Sequence, residues 1–391
     1  MHSGRFVISQ VMEPIHRQAL DRLVKGFKGD HRVRHFGCRQ QLTCMVFAQL
    51  TARESLRDIE TCLNARPGAL HHLGFRSPVA RTTLAEANET RDWRLWQALA
   101  IHLIARARKL YAGDELGLGL DRNVLVYAMD STTIDLCLNL FPWATFRSTK
   151  AGIKLHTQLD LRGPLPVVID ITPANRPDCH WLDDLFFEPG AFYLMDRGYV
   201  DYAALALIQR AGAFFVTRAK RGMVFIRHRS QKVDVTTGLC SDQIGKLGAP
   251  KARRDFSESL RRVRFHDRDT GKYLIFLTNN LDLPALTIAH LYKARWQVEL
   301  FFRWIKSHLR LKHFYGTSPN AVKTQVWTAM ATYALIAIHH KQLKAPGTLF
   351  RTTQLLSVHP FDKTPLNQLL TEAGPQSNIE TAIQTLLFND L

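Results

Sequence analysis

Two aspartates, Asp130 and Asp196, each close a short β-like run, VLVYAMD and AFYLMD. A carboxylate at the end of a buried strand is costly unless a hydrogen-bond network or a metal ion compensates for it. One such residue alone is more often part of a turn, but neighbouring strands can bring two together. A third carboxylate, Glu299, lies within LYKARWQVELFFRWIKSHLRL. At about 100° per residue, Tyr292, Arg295, Glu299 and Lys306 fall within about 60° of one another on a helix. Leu300, Phe301, Trp304 and Ile305 form the opposite, largely apolar surface. Arg295 and Glu299 are also an i, i+4 pair, so a structural ion-pair ladder explains the stripe taken by itself. Joined to two strand-end aspartates, the stripe points to a metal centre instead. Asp130, Asp196 and Glu299 suit two Mg²⁺ ions roughly 3.5–4 Å apart, serving the attacking and leaving oxygens of an in-line displacement. Hard Mg²⁺ and Mn²⁺ both prefer oxygen donors, so Mn²⁺ is expected to substitute. Arg295 and Lys306 supply the cations that a scissile phosphate needs.

The whole chain is consistent with a polyanionic partner. Its 52 Lys and Arg against 34 Asp and Glu give a formal charge of +18 and a pI near 9.9. A field of that sign concentrates phosphate-bearing partners and gains from counterion release. With 46% apolar residues, disorder is not the expectation. Cys38, Cys44, Cys62, Cys137, Cys179 and Cys240 are scattered without a CxxC pair, which argues against a disulfide framework or a structural zinc site. His31 and His35, near Cys38 and Cys44, match no common ligand spacing. The beginning, MHSGRFVISQVMEP, lacks an apolar signal core, and the apolar stretch 326–338 falls short of the roughly 18 residues that a membrane span needs. A soluble, cytoplasmic protein without a membrane partner is expected.

The elements that must position these residues follow from periodicity. Residues 1–118 read as a helical, DNA-binding region, with Arg66, Arg76, Arg81, Arg91 and Arg94 near helix ends; a plain bundle with a basic face fits equally well. An α/β core spans 119–345. In it, VLVYAMDSTTIDLCL, IKLHTQLDL, LPVVIDIT, AFYLMD and AFFVTRAK read as strands, and HWLDDLFF and YAALALIQRAG as helices, the latter ended by Gly212. A β-rich insertion at about 218–285 shows three strand-like runs, MVFIRH, RRVRFHD and KYLIFLTNN. Its basic run 251–268 is expected to face DNA. One helix is predicted over 286–311 and another over 321–343, followed by a C-terminal helical tail, 346–391.

The spacing Y-x2-R-x3-E-x6-K, read as Tyr292, Arg295, Glu299 and Lys306 with Trp296 after the arginine, resembles the YREK signature of bacterial insertion-sequence DDE transposases of the insertion-sequence-four family. MDSTTIDL, KAGIKLH and LMDRGY are similar to that family's conserved regions, and the helical N-terminus and the segment 348–370 are similar to members with an extended N-terminal helical domain. The resemblance implies an RNase H-like core with a β-rich insertion. It also implies a metal-dependent enzyme that binds terminal inverted repeats, cuts the transposon free, joins its 3′ ends to target DNA and acts as a homodimer on double-stranded DNA. Tyr292, Arg295, Trp296 and Lys306 would contact the DNA. Relatives that excise through a hairpin are expected to stack a flipped base on an aromatic from the insertion. No tryptophan lies between Arg197 and Arg295, which leaves Tyr273 and Phe276 as candidates. Two other readings stay open: a transposase-derived DNA-binding protein without catalysis, and an RNase H-like nuclease without strand transfer.

Overall fold

The structure is a computed structural model that describes residues 4–147, 149–308 and 314–371. The chain divides into two compact units. Among the described residues, the first comprises 4–112, 133–153 and 301–371, and the second 113–132 and 154–300.

Seven helices open the first unit: α1 (Val7–Val11), α2 (Arg17–Gly26), α3 (Cys38–Leu50), α4 (Leu56–Asn64), α5 (Pro67–His72), α6 (Arg81–Thr90) and α7 (Trp93–Tyr111). The helical periodicity of this region is therefore realised. Short polar side chains start two of these helices, since Ser55 accepts from the Asp58 amide and Asp92 from the Arg94 amide. Not all of the helix-end arginines are free to face a ligand. Arg91 is buried, with its guanidinium donating to Gln41 Oε1 at 2.8 Å and to the Phe36 carbonyl, while Arg94 pairs with Asp92 at 2.8 Å.

The second unit is built on a sheet. Its strands are β1 (Val126–Leu136), β3 (Lys150–Asp160), β4 (Leu165–Pro173), β5 (Phe192–Met195), β6 (Phe214–Arg218), β7 (Phe225–Gln231), β8 (Leu239–Leu247), β9 (Leu260–Asp267) and β10 (Lys272–Thr278). β1 and β3 continue into the first unit, where β2 (Thr145–Arg147) pairs with β3. The order is β3-β1-β5-β6-β10-β9-β8-β7, with β4 on β3. β1, β5 and β6 are parallel; β6, β10, β9, β8 and β7 pair antiparallel in turn. Helices α8 (Tyr202–Arg210), α9 (Pro250–Asp255), α10 (Ala285–Ala294) and α11 (Trp296–His308) complete the run. Inward residues of β1, β5 and β6 (Tyr127, Tyr193, Phe215) share one core with Leu205 and Ile208 of α8 and Phe256 after α9. Gly212 ends the α8 turn at φ 70°, a left-handed conformation that suits glycine.

Three expectations are corrected. HWLDDLFF forms a 3₁₀ segment, Asp178–Asp184, because Trp181 and Leu182 are its buried anchors and their spacing supports no longer apolar stripe. The antiparallel region has four strands, not three: β8 (LCSDQIGKL) reads as polar, yet Asp242 is buried in it against Arg261. The helix expected over 286–311 is interrupted at Arg295, whose amide bonds to the Tyr292 carbonyl at 3.1 Å and whose carbonyl accepts from Val298. These i→i+3 bonds are a tight turn of the kind that marks functional positions in helices. The last residues of that expected helix, 309–311, lie outside the described residues.

The first unit resumes in α12 (Pro319–Gln342), α13 (Leu349–Val358) and α14 (Leu366–Thr371). α12 is buried from Val326 to Ile338, and the Tyr111 hydroxyl at the end of α7 donates to the Ala337 carbonyl at 3.1 Å. This apolar stretch is thus a core helix. No helix among the described residues is long and apolar enough to cross a membrane. The expected tail falls outside the described residues from 372 onward.

Candidate active site

The parallel register places the two aspartates. β1 and β5 align Val126 with Phe192 and Ala128 with Leu194; Asp130 and Asp196 each follow two residues beyond that last pair, and Asp196 is close enough to add to the field at Asp130. Adjacent strands lie about 4.8 Å apart, so two carboxylates separated by 66 positions in sequence become neighbours. Asp196 leaves β5 directly and caps the turn that follows, accepting from the Gly198 amide at 2.6 Å. Asp130 differs from expectation: β1 does not end there but runs on to Leu136, past the last residue paired with β5.

Arg295 brings in the third carboxylate. Its guanidinium donates to Asp130 Oδ2 at 3.1 Å and to Glu299 Oε1, and its side chain is only 13% exposed. Tyr292 lies beneath it, with the guanidinium carbon 5.7 Å from the ring centroid. Tyr292 is itself buried against Phe276, ring centroids 4.8 Å apart, and burial pushes its phenol up. Trp296 is half-buried at the start of α11. Lys306 belongs to the first unit, where its ammonium donates to the Thr133 carbonyl at 2.9 Å.

Burial pushes the Asp130 carboxyl up to about 6; Arg295 and the Ser131 amide oppose this, while Glu299 and Asp196 add to it. Burial lowers the basicity of Arg295, but Tyr292, Asp130 and Glu299 outweigh it and hold the guanidinium charged. Glu299 and Asp196 thus both act on Asp130, and Arg295 is paired with Asp130 and Glu299. Among the described residues no three such side chains enclose an ion as they stand. All-oxygen donors are the chemistry that a hard divalent cation takes.

A network behind Asp130 was not predicted. The next residue, Ser131, donates to Asp178 Oδ1 at 2.6 Å, and Lys154 donates to the same oxygen at 3.0 Å and to the Arg176 carbonyl at 2.7 Å. His156 stacks on Trp181 and shares a hydrogen bond with Thr172 at 3.0 Å; burial pulls its imidazole down to about 4, so it is neutral. KAGIKLH was the available signal, since it spaces Lys154 and His156 on one side of a strand.

The sign of the Asp130 shift gives a testable consequence. Its folded pKa of about 6 lies above the ordinary 3.8, so stability present below pH 4 is lost as pH rises through 6. In metal-free buffer, Asp130→Asn is expected to stabilise the protein by about 1–3 kcal/mol at pH 7.5 and negligibly at pH 4. Urea denaturation at the two pH values checks this; an equal difference at both would refute it.

Comparison with known proteins shows the family. Residues 124–335, more than half of the chain, match the family described as the transposase DDE domain, and 3–76 match a domain of unknown function. The chain is 35% identical to transposase y4zB of Sinorhizobium fredii over 327 residues, 78% of this chain and 85% of that protein. It is 29% identical over 218 residues to the transposase of insertion sequence element IS5377 from Geobacillus stearothermophilus, 55% and 57% of the two chains. It is 22% identical over 273 residues to that of element IS4SA from Synechocystis, 66% and 71%. The family match spans Asp130, Asp196 and Glu299 alike, and on it and these relatives the chain belongs to the DDE transposases of bacterial insertion sequences.

Proposed function

We propose that this transposase binds the terminal inverted repeats of its element as a homodimer, cuts the ends and joins their 3′ strands to target DNA. The reading is supported by the position of Asp130 and Asp196, each two residues past the last aligned pair of β1 and β5, and by Arg295, which links Asp130 to Glu299. In this reading β1, β5 and β6 belong to an RNase H-like core, and the antiparallel strands between β6 and α10 are its insertion.

Asp130, Asp196 and Glu299 would hold the metal. Two bound Mg²⁺ ions would supply an activated attacking oxygen and a stabilised leaving oxygen. The protein's own groups do the rest. Arg295 offsets the repulsion between the carboxylates and a phosphodiester that must approach them. Tyr292 fixes the guanidinium from below, so its contribution to DNA passes through Arg295. Trp296 and Lys306 are assigned to the DNA end.

Wild-type protein, Mg²⁺ and DNA from the borders of the coding region are expected to give strand breaks at the element's ends and 3′ strands joined to a second DNA. Breaks without joining would favour a nuclease, and binding without breaks a DNA-binding protein that has lost catalysis.

A further inference from the structure

A cleft in the second unit is lined by Arg197, Arg218, Lys220, Arg221, Arg262 and Tyr273. Strand alternation produces it. Along β9, Arg261, Val263 and Phe265 are buried, whereas Arg262 and Arg264 turn to the opposite face. On β10, Tyr273 pairs with His266 and Ile275 with Arg264, leaving Tyr273 58% exposed. The Arg264 guanidinium lies 4.8 Å from the Tyr273 ring centroid, and the His266 ring stacks 4.5 Å away. Arg262 is oriented by two hydrogen bonds to Gln243 Oε1, at 2.6 and 3.1 Å.

The charges here are unbalanced. Among the described residues none of Arg197, Arg218, Lys220, Arg221, Arg227, Arg262 and Arg264 has a carboxylate within 4.0 Å, whereas Arg261 in the same unit has one and Lys293 and Arg295 have two each. Burial, then repulsion from Arg227 and Arg264, makes Arg262 harder to keep charged. Cations held together without a counterion favour a polyanion.

The cleft also has a fixed relation to the carboxylates. β5 and β6 align Met195 with Thr217, so Arg218 and Asp196 each lie one residue past that pair, and both lie within the field of Tyr292. Asp130 in β1, Asp196 just past the end of β5 and Arg218 at the end of β6 thus follow one another across three neighbouring strands, and the cleft begins one strand beyond the candidate metal ligands.

Building on the function proposed above, we infer that this cleft binds the sugar-phosphate backbone of the DNA end at the phosphates next to the cut. The basic run 251–268 is thereby divided. Arg262 and Arg264 face the DNA; Arg261 is a buried structural partner of Asp242; Lys251, Arg253 and Arg254 lie on or beside α9, outside the cleft.

The test pairs protein variants with altered DNA. In wild type, a neutral methylphosphonate at the phosphate beside the mapped cut should weaken end binding about tenfold, the size of a lost charge-assisted contact. Arg218→Gln with Arg262→Gln should weaken binding to unmodified DNA similarly or more. It should also lower the salt slope by about 1 per cation. Combining variant and methylphosphonate should add little further loss. Lys220→Gln with Arg221→Gln, on an exposed turn, repeats the test if the first pair unfolds. Additive losses, or an unchanged salt slope in a folded variant, would overturn the cleft assignment while wild type still binds and cuts. Failure of wild type to bind or cut the ends would instead sink the proposed function.

Discussion

Glu299→Gln is expected to bind end DNA within about threefold of wild type and to cut it at least about 10³-fold more slowly. The amide oxygen can still accept from Arg295, so the local fold survives the change. What disappears is a negative metal ligand, and transition-state stabilisation of several kcal/mol is what a metal centre supplies. At 1.36 kcal/mol per tenfold, a loss of about 4 kcal/mol gives the stated factor. Single-turnover cleavage beside a binding titration separates the two quantities. Retained cleavage would remove Glu299 from the centre, and a parallel loss of binding would make it a structural residue.

Asp242→Ala should be among the most destabilising single changes in the antiparallel strands. Asp242 and Arg261 are 3% and 2% exposed and joined by hydrogen bonds of 2.7 and 2.8 Å. Removing one partner leaves an uncompensated buried charge, which costs about 3–5 kcal/mol. Arg264→Gln, on the exposed face of the same strand, should change stability by no more than about 0.5 kcal/mol. Denaturant midpoints of the two variants check the contrast. Equal effects would mean that β9 does not alternate between a structural and a ligand-facing side.

The sequence makes some of this legible. Helical periodicity was read correctly for the first hundred residues because tertiary context there reinforces it. β5 and β6 were visible as short apolar runs, and the YREK spacing marked the Glu299 helix. Two strand-end aspartates suggested a shared site, but the β1–β5 register was not readable, because register depends on which strands meet. β8 was missed because its buried side chains, Leu239, Asp242, Ile244 and Leu247, do not alternate cleanly and include an aspartate whose partner, Arg261, lies 19 positions away. Gly245 is needed there because a side chain would meet the Ile226 carbonyl of β7 at 2.1 Å. The break at Arg295 left no mark on the apolar stripe, since the residue keeps right-handed helical angles. Of the two aromatics considered for a flipped base, only Tyr273 is accessible; Phe276 is wholly buried beneath Tyr292.

Asp130 and Asp196 as direct metal ligands can be tested by changing the softness of the donor. In Asp130→Cys and Asp196→Cys the hard oxygen is replaced by a thiolate, which favours softer metals over Mg²⁺. Cleavage of end DNA by each variant is predicted to be lost in Mg²⁺ and partly restored in Mn²⁺, with DNA binding unchanged in both. Wild-type cleavage rates in Mg²⁺ from either cysteine variant would contradict the assignment.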